Sequence, residues 1–325
     1  MRANKKFKIL LFTTLTATII AVSLSLYPGL LKAPTSKLNA IIKSASPSYA
    51  QVLFVGDVML DRGIKYYADK NGGNDFVLKQ IQKELLKYDL VVANLEGPIT
   101  DNPSTSINTQ PGEPDNYFFT FDPSWTKTLF KNNIKLVNLG NNHILNFGEN
   151  GLISTKNYLD KSDIGYFGAP GYSKSATLDI ERVKIAFVNY NEFESIESAE
   201  NIKSTLDEIQ KLKLLSDVIM VYCHWGIEYQ TEPTDEQRRL AYSFIDAGAD
   251  LVIGSHPHVA QTTEMYNKKH IYYSLGNFVF DQYFSQPTQK GLGVAIKINS
   301  NTHEISFKEV HFYMQPNGQT ILVEK

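Results

Sequence analysis

The sequence has 325 residues, of which 42% are hydrophobic, 12% aromatic and 20% charged. This balance is typical of a globular protein and excludes a disordered or collagen-like chain. Residues 1–50 contain seven Lys and Arg and no Asp or Glu, which leaves 25 basic and 34 acidic residues in 51–325 and a formal charge of −9 there. Because non-specific nucleic-acid binding depends on neutralising phosphates, we expect no nucleic-acid partner. The single cysteine, Cys223, excludes an intramolecular disulfide and a cysteine-based zinc cluster.

The N-terminus predicts a membrane segment at residues 1–31. Four basic residues precede an uncharged run of 23 residues from Ile9 to Leu31, which is long enough to cross a bilayer core of ~30 Å at ~1.5 Å per residue. Basic residues stay on the cytoplasmic side, so the rest of the chain is expected outside the cell. We favour an uncleaved single-pass anchor in the cell membrane, and a cleaved secretion signal is the alternative. Residues 32–50 are predicted to be a tether and 51–325 the functional domain.

Short apolar runs alternate with helical patterns after residue 50. In chain order we predict a strand at 51–60, a helix at 75–87, strands at 90–93, 134–139 and 184–189, a helix at 199–215, a strand at 218–223, a helix at 235–247, and strands at 251–253, 271–274, 293–298, 305–313 and 320–323. The stretch 99–125 is predicted to be a long loop. Strands that are apolar throughout and alternate with helices predict an α/β fold whose sheets are covered on both faces.

Polar side chains follow five of the predicted strands directly. They are Asp57, Glu96, the pair Asn142 and His143, His224, and the pair His256 and His258. In α/β folds, ligands collect at the carboxyl ends of strands. Imidazole, carboxylate and amide oxygen are ligands of divalent metals, and a two-metal site needs such groups to converge from several strands.

A single histidine of this kind is more often a hydrogen-bonded residue of the core than a ligand. Five strand ends with the same chemistry together favour a metal centre. Pro257 is expected to keep His256 extended, so that His256 and His258 point the same way and reach one cluster.

Six short motifs occur in a fixed order within 51–290. They are Gly56-Asp57-Val58-Met59, Asn94-Leu95-Glu96, Asn141-Asn142-His143, His224-Trp225-Gly226-Ile227-Glu228-Tyr229, Gly254-Ser255-His256-Pro257-His258 and Ser274-Leu275-Gly276-Asn277-Phe278. Together the set resembles the bacterial capsule-synthesis family called CapA or PGA_cap, which is linked to poly-γ-glutamate production. That family is similar to the calcineurin-like metallophosphoesterases. The resemblance implies a four-layer αββα sandwich with mixed sheets and a site for two divalent metals, with Mn, Fe or Zn as the candidates.

The resemblance also implies a role for each strand-end residue. By position, the metal ligands are Asp57, Glu96 as the bridging carboxylate, Asn142, His224, His256 and His258, and His143 protonates the leaving group or binds a phosphate oxygen. Two positions depart from the phosphoesterase pattern: Met59 replaces a histidine ligand, and Glu96 replaces an aspartate. Because a thioether is a poor ligand for a hard metal, we expect one of the two metal sites to bind more weakly.

Three further residues are candidates for substrate binding. Arg62 could hold an anion through paired hydrogen bonds, or it could form an ion pair at a helix N-terminus. Glu228 follows His224 in a loop and could form a substrate wall or support the metal ligands. Asn277 could face the ligand, or Gly276 and Asn277 could simply make a turn.

The combined pattern predicts a membrane-anchored protein of capsule or poly-γ-glutamate synthesis that acts outside the cell. One reading is a metal-dependent hydrolase of an anionic cell-surface substrate, either a phosphoester or an amide of the polymer. The alternative is a non-catalytic accessory subunit that binds the polymer or its membrane synthase. The nearly complete ligand set favours the hydrolase, and Met59 favours the accessory subunit.

Overall fold

The computed structural model describes residues 48–110, 112–194 and 196–324. The predicted membrane segment at 1–31 and residues 32–47 of the predicted tether lie outside these ranges. Within the ranges, no helix has the length and apolar character needed to cross a bilayer. The first strand, β1 (Tyr49–Val58), begins inside the predicted tether.

Eight strands of the described chain form the first sheet. Across it the order is β14 (Thr320–Val323), β13 (Ile305–Met314), β12 (Lys290–Asn299), β1, β2 (Leu90–Leu95), β3 (Ile134–Asn138) and β4 (Gly165–Phe167), and the short β11 (Asn277–Val279) also pairs with β1. β1 to β4 and β11 are parallel, whereas β12 to β14 pair antiparallel. The sheet is therefore mixed, and the carboxyl ends of β1 and β2 lie side by side.

The second sheet has six strands within the described residues. Their order is β5 (Ser175–Ile180), β6 (Val183–Asn191), β7 (Val218–His224), β8 (Leu251–Ser255), β10 (Lys269–Tyr272) and β9 (Thr263–Tyr266). β6, β7, β8 and β10 run parallel, and β5 and β9 pair antiparallel at the two edges. This sheet is mixed as well.

Helices cover the outer face of each sheet. On the first sheet they are α1 (Arg62–Lys70), α2 (Asp75–Leu78), α3 (Gln82–Leu85), α4 (Trp125–Lys131) and α5 (Gly148–Lys161), and on the second they are α6 (Ser198–Leu212) and α7 (Asp235–Ala247). A short α8 (Gln286–Gln289) precedes β12, and a 3-10 turn at Pro114–Tyr117 lies in the long loop after β2.

The hydrophobic core lies in three layers between the sheets and helices. Val52 and Phe54 of β1 pack between the two sheets, whereas Leu53 and Val55 pack against the helices of the first sheet. Successive side chains of a strand point to opposite faces, so β1 is buried on both sides. Val221 and Cys223 of β7 pack against the helices of the second sheet. The four-layer αββα sandwich is confirmed.

The segment 75–87 differs from its sequence prediction as a single helix. It forms two short helices, α2 and α3, and Ile81 between them has φ −111° and ψ −3°, outside the regular helical geometry. Its apolar residues Val77, Leu78, Ile81 and Leu85 are nevertheless buried in the first-sheet core. Apolar spacing predicts which side chains are buried, and two separate turns satisfy the same spacing as one helix.

Candidate metal centre

The six predicted metal ligands lie together where the strands end. Asp57 is the penultimate residue of β1, Glu96 follows β2, and His224 is the last residue of β7. His256 and His258 follow β8, and Asn142 lies in the loop after β3. All but Asn142 are buried, and the exposed Asn142 turns its Oδ1 inward to within 2.8 Å of His224 Nε2. The two sheets thus place side chains that are far apart in sequence around one point.

These residues form two groups that share one carboxylate. The first cluster is Asp57, Glu96 and His258, and the second cluster is Glu96, His224 and His256. Within each cluster, one ligand atom from every residue lies within 4.8 Å of the others. Glu96 belongs to both clusters, which is the arrangement expected of a bridging ligand.

The carboxylate of Glu96 has the environment of a cation ligand. Its Oε1 lies 3.9 Å from His224 Nε2 and 3.8 Å from His258 Nε2, too far for a hydrogen bond in either direction. Neither carboxylate oxygen has a hydrogen-bond partner among the described residues, although the side chain is fully buried. A divalent cation held between Glu96 and one of the histidines would fill such a gap.

The electrostatics of the protein alone oppose a charge on Glu96. Burial, reinforced by the neighbouring carboxylates of Asp57 and Glu228, raises the pKa of Glu96 well above its usual value. An unpaired buried carboxylate is costly, whereas a divalent cation reverses the balance and favours the ionised form. The donor set of carboxylates and imidazoles around an unpartnered bridge therefore fits divalent metal ions.

His258 is held with one ring nitrogen free for the first cluster. Asn277 donates its amide hydrogens to the carbonyl of Thr288 at 3.0 Å and to Gln282 Oε1 at 3.1 Å, so its Oδ1 is left to accept from His258 Nδ1 at 3.0 Å. Asp57 Oδ2 also lies 3.2 Å from the same Nδ1. Two acceptors at Nδ1 place the ring proton there, so the Nε2 lone pair points toward Glu96.

The two histidines of the second cluster are neutral in this setting. Burial lowers the pKa of His256 to about 3 and that of His224 well below its usual value. His256 Nδ1 is buried and has no hydrogen-bond partner among the described residues. His224 Nδ1 lies 3.0 Å from Ser255 Oγ, whereas Nε2, on the other side of the ring, contacts Asn142. The two contacts together fix the orientation of the ring. Neutral imidazole is the form that binds metal.

The segment around Pro257 is bent, and its predicted extended conformation is wrong. His256 has φ +94° and His258 has φ +56°, both in the region that residues other than glycine seldom adopt. The backbone N–H of His256 donates to Asp57 Oδ2 at 3.2 Å. Tertiary contacts at the centre thus override the local preference before proline, and such strain is typical of functional sites. Both imidazoles still reach the centre.

Met59, at the position of the expected histidine, takes no part in either cluster. Its side chain is buried among the helix-side residues of the first sheet, and its sulfur accepts a hydrogen bond from the N–H of Asp61 at 3.1 Å. The first cluster therefore has three candidate ligand groups, whereas Asn142 adds a fourth candidate to the second cluster.

Three residues outside the predicted ligand set support the centre. Asn94 donates to Asp57 Oδ1 at 2.8 Å, Ser255 contacts His224, and the ring of Phe193 lies 4.3 Å from that of His256. Asn94 lies two residues before Glu96 at the end of β2, so its side chain points to the same face of the strand as the bridge. That spacing was the available sequence signal for Asn94.

His143 lies at the edge of the centre. Its ring packs against Phe119 with 4.4 Å between centroids, and its Nδ1 lies 3.2 Å from Asn146 Oδ1. Burial, partly offset by the contact with Asn146, lowers the pKa of His143 to about 4. Its predicted part in proton transfer stays a prediction.

The three candidate substrate-binding residues differ in burial and in their contacts within the protein. Arg62 forms an ion pair with Asp281, and its other terminal nitrogen donates to Asn116. Asn277 is buried and holds His258. Glu228 is half-buried and lies near enough to Glu96 to raise its pKa. Substrate contact by each of them stays a prediction.

Known proteins resemble the chain in sequence and in fold. A family model described as bacterial capsule synthesis protein PGA_cap matches residues 51–282. The PGA biosynthesis protein CapA of Bacillus subtilis is 31% identical over 277 residues, covering 80% of this chain and 70% of that protein. The capsule biosynthesis protein CapA of Bacillus anthracis is 27% identical over 325 residues, covering 93% and 74%.

Among solved structures, a phosphatase from Mycoplasma pneumoniae superposes with a TM-score of 0.51 at 16% identity, covering 82% of this chain and 94% of the other. At that identity the likeness concerns the fold alone. The family match spans the strands that carry both clusters, from β1 to the segment after β11. The chain therefore belongs to the bacterial capsule synthesis family PGA_cap.

Proposed function

We propose that the chain is a divalent-metal-dependent hydrolase that acts outside the cell on an anionic substrate during capsule or poly-γ-glutamate synthesis. Glu96 is the main support for this proposal, because it is a buried carboxylate without a protein partner, set between histidines of two clusters. Burying such a group costs free energy unless cations occupy the site. The names of the two Bacillus relatives support the capsule setting.

The two clusters divide the ligands between two ions. Asp57, Glu96 and His258 would hold one ion, and Glu96, His224, His256 and Asn142 would hold the other. Mixed oxygen and imidazole donors suit Mn, Fe or Zn. When bound, such ions polarise the scissile group and lower the pKa of a water molecule.

His143 would donate a proton to the leaving group. Asn146 and Phe119 hold its ring at the edge of the centre. Because burial lowers the pKa of His143 to about 4, it carries a proton at neutral pH only when negative charge lies beside it. A bound anionic substrate supplies that charge, so protonation of His143 would be tied to substrate binding.

Metal content and turnover of the full chain test the proposal together. We expect more than one equivalent of divalent metal by elemental analysis, and hydrolysis of an aryl phosphate, a phosphodiester or a γ-glutamyl polymer. His143→Ala is expected to keep the metal and to lose turnover by about 100-fold or more, since general acids contribute that much. Loss of metal in this variant would mean that His143 supports the fold of the centre instead.

The alternative is a non-catalytic accessory subunit that binds the polymer or its membrane synthase. The position of Met59 outside both clusters favours it, because the first cluster then has fewer ligands than the second. A metal-replete chain that hydrolyses none of the three substrate types would contradict the hydrolase and support the accessory role.

We also propose that the chain is anchored in the cell membrane with its domain outside, and secretion after cleavage is the alternative. The basic and apolar pattern of residues 1–31 supports this topology. Mass spectrometry of the N-terminal peptide of cell-associated protein, with protease digestion of intact cells, tests it. Recovery of residues 1–31 together with digestion of the domain is the expected result.

A further inference from the structure

A cleft of about 420 Å³ lies beside the metal centre and is lined by exposed aromatic rings. Tyr66, Tyr117, Tyr229 and Phe284 contribute to its lining, and between 43% and 66% of each residue is exposed. We call this feature the aromatic cleft. Its volume lies within the ~300–1,000 Å³ of small-ligand sites. A group of exposed rings in one concave surface is unusual unless the surface binds something.

The aromatic cleft and the first cluster share a wall. The ring of Tyr229 lies 6.2 Å from that of His258, and Gln282 in the cleft accepts a hydrogen bond from Asn277, which holds His258. The guanidinium of Arg62 lies 5.6 Å from the ring of Phe280, which in turn packs 4.7 Å from His258. A molecule extending from the metal centre can therefore enter the cleft.

The aromatic cleft carries no net charge. Among its described lining residues, Arg62 and Asp281 are the charged side chains, and they are paired with each other. Both terminal nitrogens of Arg62 are engaged by Asp281 and Asn116. The remaining polar lining is made of amides and hydroxyls, such as Asn108, Thr109 and Gln282. An anionic segment would find no unpaired cation there.

Aromatic rings combined with amides and hydroxyls match the surface of a sugar. The C–H face of a pyranose packs on a ring, while its hydroxyls bond to amide and hydroxyl groups. A nucleobase instead needs a parallel slot, and the rings of Tyr229 and Phe284 meet at 82°. A γ-glutamyl chain brings a carboxylate with every residue, which this lining does not neutralise.

We propose that the aromatic cleft binds an uncharged sugar unit of a cell-surface glycan. Sugar binding depends on the cleft alone, whereas the position of an anionic linkage next to that sugar rests on the proposed hydrolase function. In that arrangement the metal centre holds the anionic linkage and the cleft selects the neutral ring attached to it. The aromatic cleft then determines which polymer the centre acts on.

Calorimetric titration of the full chain, with metals removed by chelation, tests the cleft separately from the metal centre. The probes are cellotetraose and the tetramer of N-acetylglucosamine as neutral sugars, a γ-glutamyl decamer as the polyanion, and AMP as the nucleotide. We expect at least one sugar to bind, with an affinity unchanged by ~0.5 M NaCl because no net charge is involved. Phe284→Ala and Tyr117→Ala are each expected to weaken binding about three- to ten-fold.

Tyr172→Ala is the matched control, since Tyr172 is 45% exposed and lies outside the cleft lining. It should leave sugar affinity unchanged. The proposal is overturned if neither sugar binds, if Phe284→Ala and Tyr117→Ala bind sugar as well as the parent chain, or if the decamer or AMP binds the chelated protein and loses affinity in Phe284→Ala. Because no metal is present, failure here leaves the hydrolase to be judged by turnover alone.

Discussion

At the scale of single residues, the centre combines polar groups that are fully bonded with a few that are not. Asp57 accepts from Asn94 and from the backbone of His256, and Asn277 uses its amide hydrogens and its oxygen within the protein. Glu96 and His256 instead present buried atoms without partners among the described residues. Buried polar groups are normally hydrogen-bonded, so the unpaired ones mark where an external ligand belongs.

Glu96→Gln is expected to change stability in opposite directions with and without metal. In chelated protein, the variant should be more stable by about 1–3 kcal/mol at neutral pH, because an unpaired buried carboxylate is removed. Burial raises the pKa of Glu96 in the folded chain above its usual value of 4.5. The folded chain therefore keeps its full stability below pH 4.5 and loses stability as the pH rises through the pKa of Glu96 in the folded state. The advantage of Gln should therefore grow as the pH rises.

With metal added, the parent chain should gain stability and Glu96→Gln should gain much less, since both clusters lose their shared ligand. Thermal unfolding with metal and with chelator measures both effects. Glu84→Gln is the control, because Glu84 is buried but bonded to Lys87 and Tyr88. That variant should be destabilised in both conditions. A chelated Glu96→Gln chain less stable than the parent would contradict the assignment of Glu96 as a bridge.

Asn277→Leu should weaken one metal and spare the other. Leucine fills a similar volume but cannot accept from His258 Nδ1, so that ring loses one of the two acceptors that fix its orientation. Loss of such support typically lowers metal affinity by 10- to 100-fold. Ser255→Ala is the reciprocal variant, because Ser255 contacts His224 of the second cluster. Equilibrium dialysis should show each variant losing affinity for one equivalent, and an equal effect of Asn277→Leu on both would contradict two separate clusters.

At the scale of elements, the close pairing of β1 with the segment before β11 brings Asp57 and Asn277 together. The N–H of Asp57 donates to the carbonyl of Gly276 at 3.0 Å. A Cβ at Gly56 would lie 1.8 Å from that same carbonyl oxygen. Glycine at 56 is therefore required by the approach of two backbones at the centre.

Gly56→Ala is expected to cost ~3 kcal/mol or more and to release metal, because the strands must separate and Asn277 leaves Asp57. Gly72→Ala is the matched control: a Cβ there meets open space, and only its φ of +91° opposes alanine, at a cost of ~1 kcal/mol. Chemical denaturation and metal analysis of both variants measure the difference. Similar costs at the two sites would show that backbone proximity at Gly56 is not the cause.

At the scale of the whole molecule, charge determines how a polyanion can be held. Residues 51–325 carry a formal charge of −9, and Arg62 beside the centre is already paired. We expect poly-γ-glutamate to bind through the metal ions, so chelation should lower its affinity at least ~10-fold. Titration of the full chain before and after chelation measures this. Affinity that survives chelation would show a basic surface that the charge distribution does not indicate.

The sequence predicted the fold, and which polar side chains gather at the strand ends, better than it predicted local geometry. The sequence allowed recognition of the strands β1, β7 and β8 and of the polar residues at their ends. A buried parallel strand is a short apolar run that ends abruptly. The helices α1, α4, α5 and α8 and the strands β4, β5, β9 and β11 were missed. They are short or largely polar at the surface, so their apolar pattern is weak.

The partners of the supporting residues could not be predicted from the sequence for a different reason. Asn94 and Ser255 form hydrogen bonds to residues that are distant in the chain. The spacing of Asn94 from Glu96 indicates a shared strand face, but it does not identify the partner of Asn94. The same holds for Arg62, whose partner Asp281 lies more than two hundred residues away. Its ion pair with Asp281 matches the alternative to anion binding that the sequence left open, an ion pair at a helix N-terminus.

By itself, the sequence determined which carboxylates, imidazoles and asparagines are the candidate ligands, because each directly follows an apolar run that predicts a strand. Tertiary structure alone decided that Glu96 lies unpaired between two clusters, that His256 and His258 bend into the centre, and that a neutral aromatic cleft adjoins it. The local sequence pattern indicates which face of a helix or strand is buried. Contacts between elements that are distant in the chain depend instead on how the two sheets pack.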